Sequence, residues 1–298
     1  MKAGRRNIVI SNEDKVIYPD DGLRKIDIIN YYKDVAPLIL PHLEDRPLML
    51  QRFPNGIRES GFYQKEASEY FPEWIETVSV HKEDGQVNHA ICNNTATLVY
   101  LANQATITFH TWLSTAPEVN YPDKFIIDLD PPSNDFSVVR TAAFIIKRFF
   151  DEMEVTSFVM TTGSSGAHIV VPLNGKATFD QSRKMGEEIA LRLTKLHPAI
   201  FTTEKYIKKR GGKIYFDIQR NAYAQTAVSP YSLRPLPQAP VATPLAWSEM
   251  EDDTINARTF NMGNIRQRLS ETVNPWKGMG RHAIAVESLE RKLQKALV

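Results

Sequence analysis

The sequence predicts an α+β fold, with mixed or antiparallel sheets flanked by helices, on three observations. Strand-like runs at 75–80 and 86–91 sit either side of Asp84-Gly85 as a hairpin, which a simple β-α alternation does not contain. A strand at 125–130 and an apolar helix at 138–150 lead into two more strands, 157–161 and 168–171, joined only by a Gly/Ser turn. Pro230, Pro235, Pro237, Pro240 and Pro244 make 229–245 an extended strap, since proline suits neither a helix interior nor a central strand.

The remaining elements follow from spacing. After the turn at Asp20-Asp21-Gly22, residues 24–40 place Ile28, Ile29, Tyr32, Val35, Ala36 and Ile39 at helical intervals. Leu48–Arg52 reads as a strand, 96–103 as a helix and 105–109 as extended. A helix over 180–196 carries Met185, Ile189, Leu193 and Leu196 on one face; a strand at 214–219 and a helical tail complete the chain. Nothing marks a linker, so one compact unit over 1–298 is expected, with room for a small amino-terminal lobe.

The bulk numbers constrain function weakly. Thirty-six basic and 35 acidic side chains leave a net charge of +1, so any surface for an acidic partner must be local and balanced elsewhere. Cys92 is the single cysteine, which excludes an internal disulfide or a cysteine-based zinc cluster and fits a reducing compartment. Residues 1–15 lack the apolar core of a secretory signal, and no apolar run approaches the ~20 residues that span a bilayer. A cytoplasmic protein with no membrane partner is the expectation.

Three segments can carry chemistry. In Phe125-Ile126-Ile127-Asp128-Leu129-Asp130-Pro131-Pro132, a strand would turn Asp128 and Asp130 to one face. Paired carboxylates repel unless a cation lies between them, and hard oxygen donors suit Mg²⁺ or Mn²⁺; a solvated strand end at a turn explains this pair equally well when taken alone. Thr161-Thr162-Gly163-Ser164-Ser165-Gly166-Ala167-His168 offers small residues, hydroxyls and a histidine as a phosphate cradle, against the plainer reading of a Gly/Ser hairpin turn. In Ile214-Tyr215-Phe216-Asp217-Ile218-Gln219-Arg220-Asn221 a third carboxylate rises from an apolar strand, with Arg220 and, further on, Arg234 suited to phosphate oxygens. Lys208-Lys209-Arg210 before it reads as a solvated face unless nucleic acid runs past it. Together the three segments describe two-metal phosphoryl transfer, with acids for the ions and basic groups for a triphosphate. Removing any of the three acids is expected to relieve carboxylate repulsion.

Asp128-x-Asp130, the Thr162-to-His168 turn, Asp217 with Arg220-Asn221, and Pro230-Tyr231-Ser232-Leu233-Arg234 occur in an order that resembles the polymerase domain of ligase D. That family is a non-homologous end-joining branch of the archaeo-eukaryotic primases. Asp14-Lys15-Val16-Ile17-Tyr18-Pro19, Gly61-Phe62-Tyr63-Gln64-Lys65, His110-Thr111-Trp112 and Asn274-Pro275-Trp276 extend the likeness over nearly the whole chain. The resemblance implies a primase-like catalytic core and a single primase-polymerase catalytic domain. It makes Asp128, Asp130 and Asp217 the metal-binding catalytic acids, and sets His110, Thr162, His168, Arg220 and Arg234 around the incoming nucleotide. Lys15 and Lys25 fall where the family grips a DNA 5′-phosphate, and Phe62 and Tyr63 where rings stack on template bases. It further implies Mn²⁺ or Mg²⁺ as cofactor, a preference for ribonucleotides, and DNA ends and gaps with nucleoside triphosphates as substrates. A separate DNA ligase and Ku would be partners, in a prokaryotic, nucleoid-associated setting. Thr162 stands where the family has serine, and Tyr63 replaces a second phenylalanine. The alternatives are a non-catalytic end-binding module of the same fold, against which all three acids argue, and a DxD glycosyltransferase, which leaves Asp217 to Arg220 and the Pro-Tyr-Ser-Leu-Arg stretch without a role.

Overall fold

The computed structural model describes residues 1–82, 85–133 and 135–295. They form two compact units, each assembled from separated stretches of chain. The first comprises Met1–Pro117, Thr226–Ala242 and Phe260–Gln267; the second comprises Glu118–Gln225, Thr243–Thr259 and Arg268–Val298.

In the first unit a four-stranded antiparallel sheet runs in the order Thr226–Val228, Thr106–Trp112, Leu48–Arg52, Phe62–Gln64. The helical rhythm at 24–40 resolves into two helices, Lys25–Asp34 and Ala36–Leu43. Pro37, in the first turn of the second, accounts for the break: it lacks an N–H for the preceding turn, and its ring would clash with a carbonyl four residues back. Tyr31, Tyr32, Leu98, Phe109 and Trp112 fill the core of this unit. The predicted hairpin lies two residues later in its first strand, pairing Thr77–Lys82 with Gly85–Ala90; Asp84 falls outside the described residues.

The second unit holds a six-stranded mixed sheet in the order Phe201–Thr202, Ile214–Asp217, Lys124–Asp130, Ala167–Pro172, Phe158–Thr161, Thr243–Leu245. Only the outermost pair, Phe201–Thr202 with Ile214–Asp217, is parallel. Pro244 sits on the opposite edge strand, where a missing N–H leaves no gap in the ladder. Phe125, Ile127 and Leu129 are fully buried on one side of the central strand. Gly186 of helix Phe179–Leu196 lies so near that a Cβ there would stand 2.6 Å from the Phe125 ring. Helix Phe136–Glu152 packs on the sheet through Val139, Ala142, Ala143 and Ile146. Strand alternation then commits Asp128 and Asp130 to the other face. The predicted strand at 214–219 stops at Asp217, whose carboxylate accepts the Gln219 N–H at 2.7 Å and turns the chain into the tight helical turn Gln219–Asn221. Among the described residues no helix is long and apolar enough to cross a membrane.

Candidate active site

Strand register brings four of the predicted residues to one face of the second unit's sheet. Asp128 is paired directly with Asp217 on one neighbouring strand and with His168 on the other. Directly opposed residues share a face with Cβ atoms about 4.5–5.5 Å apart, so Asp217, Asp128 and His168 form one row across the strands, and Asp130 lies beside it, two residues further along the central strand.

The four groups differ electrostatically. Asp128 is 5% exposed; its Oδ1 lies 3.4 Å from His168 Nε2 and its Oδ2 accepts from Arg220 Nε at 3.2 Å. Burial alone would raise its carboxyl, but His168 and then Arg220 hold it down at about 2. Asp130 goes the other way, pushed up to about 6 by burial and by the neighbouring Asp128 and Asp217. Asp217 is also raised, by burial first; the Gln219 N–H opposes this and Asp128 adds to it. The expected carboxylate repulsion thus governs Asp130 and Asp217, whereas Asp128 sits in a cationic setting that the spacing of the acids does not reveal. His168 Nδ1, on a buried ring, has no hydrogen-bond partner among the described residues. Three carboxylates crowded on one face, two of them short of positive charge, fit a hard divalent cation in donor chemistry. Among the described residues, no three His, Cys, Asp or Glu side chains already stand in metal-holding geometry.

The Gly/Ser turn is tied to this row through backbone. A Cβ on Gly166 would fall 2.1 Å from the Leu129 carbonyl oxygen, between the two acids of the central strand. Thr162 is buried and its hydroxyl serves the turn itself, donating to the Gly166 carbonyl at 3.1 Å and accepting from the N–H groups of Ser164 and Gly166 at 3.3 Å. The cradle reading therefore shifts to Ser164 and Ser165, which line a cleft of about 470 Å³ with Arg140, Asn256 and Arg258.

Two contributors are not legible as such in the sequence. Arg210, read as part of a solvated basic run, is buried; it donates to the carbonyls of Glu204 and Lys205 and stacks 4.5 Å from the Tyr215 ring. Tyr215 is the strand partner of Asp130, and Arg210 lowers the carboxyls of Asp130 and Asp217. Asn221 is fully buried and clamps the central strand: Ile126 N–H donates to its Oδ1 at 2.8 Å, and its Nδ2 donates to the carbonyls of Ile126 at 2.6 Å and Ile218 at 2.9 Å. The side chain acts as a strand partner where Ile214–Asp217 has ended, and it fixes the turn that carries Arg220. Asn221→Ala is expected to lower unfolding free energy by about 3 kcal/mol, since each buried group left unpaired costs about 1–3 kcal/mol. A denaturant midpoint close to wild type would show that the clamp contributes nothing.

The first unit holds the other candidates. His110, on strand Thr106–Trp112, meets the Tyr63 ring edge-on with centroids 5.9 Å apart. Phe62 and Tyr63 are 46% and 56% exposed on the edge strand, but alternation turns them to opposite sides. Phe62 lies 5.4 Å from the Arg52 guanidinium, so the two rings do not form one stacked pair. Lys15 and Lys25 are neighbours along the backbone: Lys25 N–H donates to the Lys15 carbonyl at 2.8 Å across the hairpin Val16–Tyr18 with Leu23–Arg24, while Lys15 Nζ donates to Asn55 Oδ1 at 3.0 Å. Lys25 Nζ donates to the Ser11 carbonyl at 2.6 Å, and its ammonium is lowered by burial first and then by Lys15. Arg234 ends the 230–234 stretch of the strap.

Comparison with known proteins supplies the family. Residues 24–276 match the family described as LigD, primase-polymerase domain. The chain belongs to this family. Among LigD relatives, the bifunctional non-homologous end joining protein LigD of Bacillus subtilis is 32% identical over 265 residues, 88% of this chain. The multifunctional LigD of Mycolicibacterium smegmatis is 28% identical over the same share. The chain spans 42% and 34% of those two proteins. A solved LigD structure, the polymerase domain from Mycobacterium tuberculosis ligase D in complex with DNA, superposes with a TM-score of 0.86 at 26% identity. That superposition covers 93% of this chain and 99% of the other. The α+β expectation and the LigD resemblance both stand.

Proposed function

We propose that this chain is a DNA-directed nucleotidyltransferase that extends primers and fills gaps at DNA breaks during non-homologous end joining. The observation that supports this best is the row of Asp217, Asp128 and His168 with Asp130 beside it, in a chain of the LigD primase-polymerase family. The family match crosses both compact units, which supports a single catalytic domain.

Asp128, Asp130 and Asp217 would hold divalent ions, Mn²⁺ or Mg²⁺, which supply Lewis acidity to the attacking 3′-hydroxyl and the leaving pyrophosphate. His168, whose Nδ1 is open to a new partner, and Arg220 offer donors beside the acids for triphosphate oxygens. Arg234 and His110 are nucleotide candidates on the family resemblance alone, and Thr162 shapes the turn rather than lending its hydroxyl. Tyr63 offers a ring to the template strand. Ribonucleotide preference, a separate ligase and Ku rest on the family resemblance alone. Extension of a primer across gapped DNA, with both nucleotide types and both metals, is the direct test. DNA binding without any incorporation would favour the non-catalytic end-binding module.

Lys15 and Lys25 would grip a terminal 5′-phosphate. Their ammoniums repel each other, and a dianion between them removes that penalty. Wild type should bind a 5′-phosphorylated gap about tenfold or more tightly than a hydroxyl-ended one, because charge-assisted hydrogen bonds contribute about 1.5–3 kcal/mol. The advantage should shrink as salt rises. The double alanine variant should lose the preference and keep weak primer-template binding. Identical wild-type affinities for the two duplexes would remove the pocket from the proposal.

A further inference from the structure

We propose that Tyr18 is a positioning residue for Arg234: its hydroxyl fixes the backbone from which the guanidinium reaches the nucleotide triphosphate. This rests on the triphosphate role proposed above for Arg234.

The strap around Arg234 is held peptide by peptide. Tyr31 donates to the Tyr231 carbonyl at 2.8 Å, and Ser232 Oγ accepts the Phe109 N–H at 2.7 Å. Leu233 N–H donates to the Tyr32 hydroxyl at 3.0 Å, and its carbonyl accepts from Thr108 Oγ1 at 2.8 Å. Arg234 N–H donates to the Pro240 carbonyl at 2.8 Å. Its carbonyl accepts from Tyr18 at 2.8 Å and from Leu236 N–H at 2.9 Å. Tyr231 sits at φ +64°, a left-handed conformation uncommon for a residue with a bulky side chain, which persists only where the surroundings over-determine it.

Phenylalanine at position 18 would fill the same fully buried volume; the hydroxyl is accounted for by the one carbonyl it reaches, that of Arg234. Burial raises the phenol well above its ordinary range, so it keeps the proton it donates to that carbonyl. The Arg234 charge is felt at the Tyr18 oxygen, which places the guanidinium's field in the same neighbourhood as the bond. A second tie, from Gln238 N–H to the Asp21 carboxylate at 2.7 Å, secures the far side of the same strap to the same amino-terminal turn. Tyr31 provides an internal control. It is equally buried and makes an equally short bond to a strap carbonyl, but three residues before the arginine.

Nucleotide titrations in primer extension on gapped DNA, run beside thermal melts and DNA-binding titrations, separate the roles. Tyr18→Phe should raise nucleotide KM about fivefold, the scale of one lost hydrogen bond, with kcat and DNA affinity within about twofold of wild type. Tyr31→Phe should lose a similar amount of Tm and leave KM within about twofold. Arg234→Ala should raise KM by more than Tyr18→Phe. If Arg234→Ala raises KM and Tyr18→Phe does not, the positioning role is wrong while the triphosphate reading stands. If Tyr31→Phe raises KM as much as Tyr18→Phe, the effect is general loosening of the strap and the inference is overturned. An unchanged KM in Arg234→Ala would remove the triphosphate reading itself, and Tyr18's role with it.

Discussion

Asp128→Asn and Asp130→Asn should each reduce nucleotide addition by about a thousandfold or more, yet move stability in opposite directions. The shared loss follows from weakening the hold on a Lewis-acid ion worth several kcal/mol, at tenfold in rate per 1.36 kcal/mol. The divergence follows from charge. The Asp128 carboxylate is stabilised by His168 and Arg220, so neutralising it leaves the buried His168 and the partly exposed Arg220 without their anionic partner and should lower Tm. Asp130 is crowded by Asp128 and Asp217, so neutralising it removes repulsion and should raise the Tm of metal-free protein. Added Mn²⁺ should raise the wild-type Tm, since a ligand that binds only the folded state stabilises it, and should raise that of Asp130→Asn much less. Calorimetric melts with and without Mn²⁺ read both effects. Full extension by Asp128→Asn would sink the catalytic assignment; identical shifts in the two variants would sink the electrostatic one.

The second large effect is expected at Gly166→Ala. The added methyl would lie 2.1 Å from the Leu129 carbonyl, and both sides of that contact are backbone, so neither can swing aside. The Leu129–Ala167 pairing has to open, carrying His168 away from Asp128. Overpacking of this kind costs about 1–3 kcal/mol or more, and a misplacement near 1 Å can cost about a hundredfold in rate. The variant should therefore melt lower and extend primers at least about a hundredfold more slowly. Wild-type kinetics in a folded Gly166→Ala protein would show that the turn does not set the row.

Much of the site is legible in the sequence because its logic is local. Asp128 and Asp130 share a face through i, i+2 spacing, and the backbones of Lys15 and Lys25 are neighbours because one hairpin joins them. What was not legible depends on register or on long-range partners. No pattern within 214–221 says that Asp217 pairs with Asp128 rather than with a residue one step away, which would send it to the opposite face. Asn221 follows Arg220 like any polar turn residue; only the arrival of Ile126 makes it a clamp. Thr162 carries a hydroxyl that suits phosphate, and the turn's own N–H groups claim it. The split of the 24–40 helix was written in Pro37, although the apolar rhythm runs through it unbroken.

The segmented make-up of the two units has a consequence for how the molecule is made. A chain emerging from its amino end delivers Met1–Pro117 early, but strand Thr226–Val228, which flanks Thr106–Trp112, follows more than a hundred residues later. The strap segment through Ala242 and the stretch Phe260–Gln267 come later still. The second unit waits in turn for Thr243–Leu245 to edge its sheet and for Arg268 onward. The first core waits for residues up to Gln267 and the second for residues beyond it, so a chain made from its amino end has no early, finished module to protect the rest. Pairings this distant in sequence are slow to form, and nascent chains halted near residue 225 should expose unpaired strand edges and depend on chaperones until release.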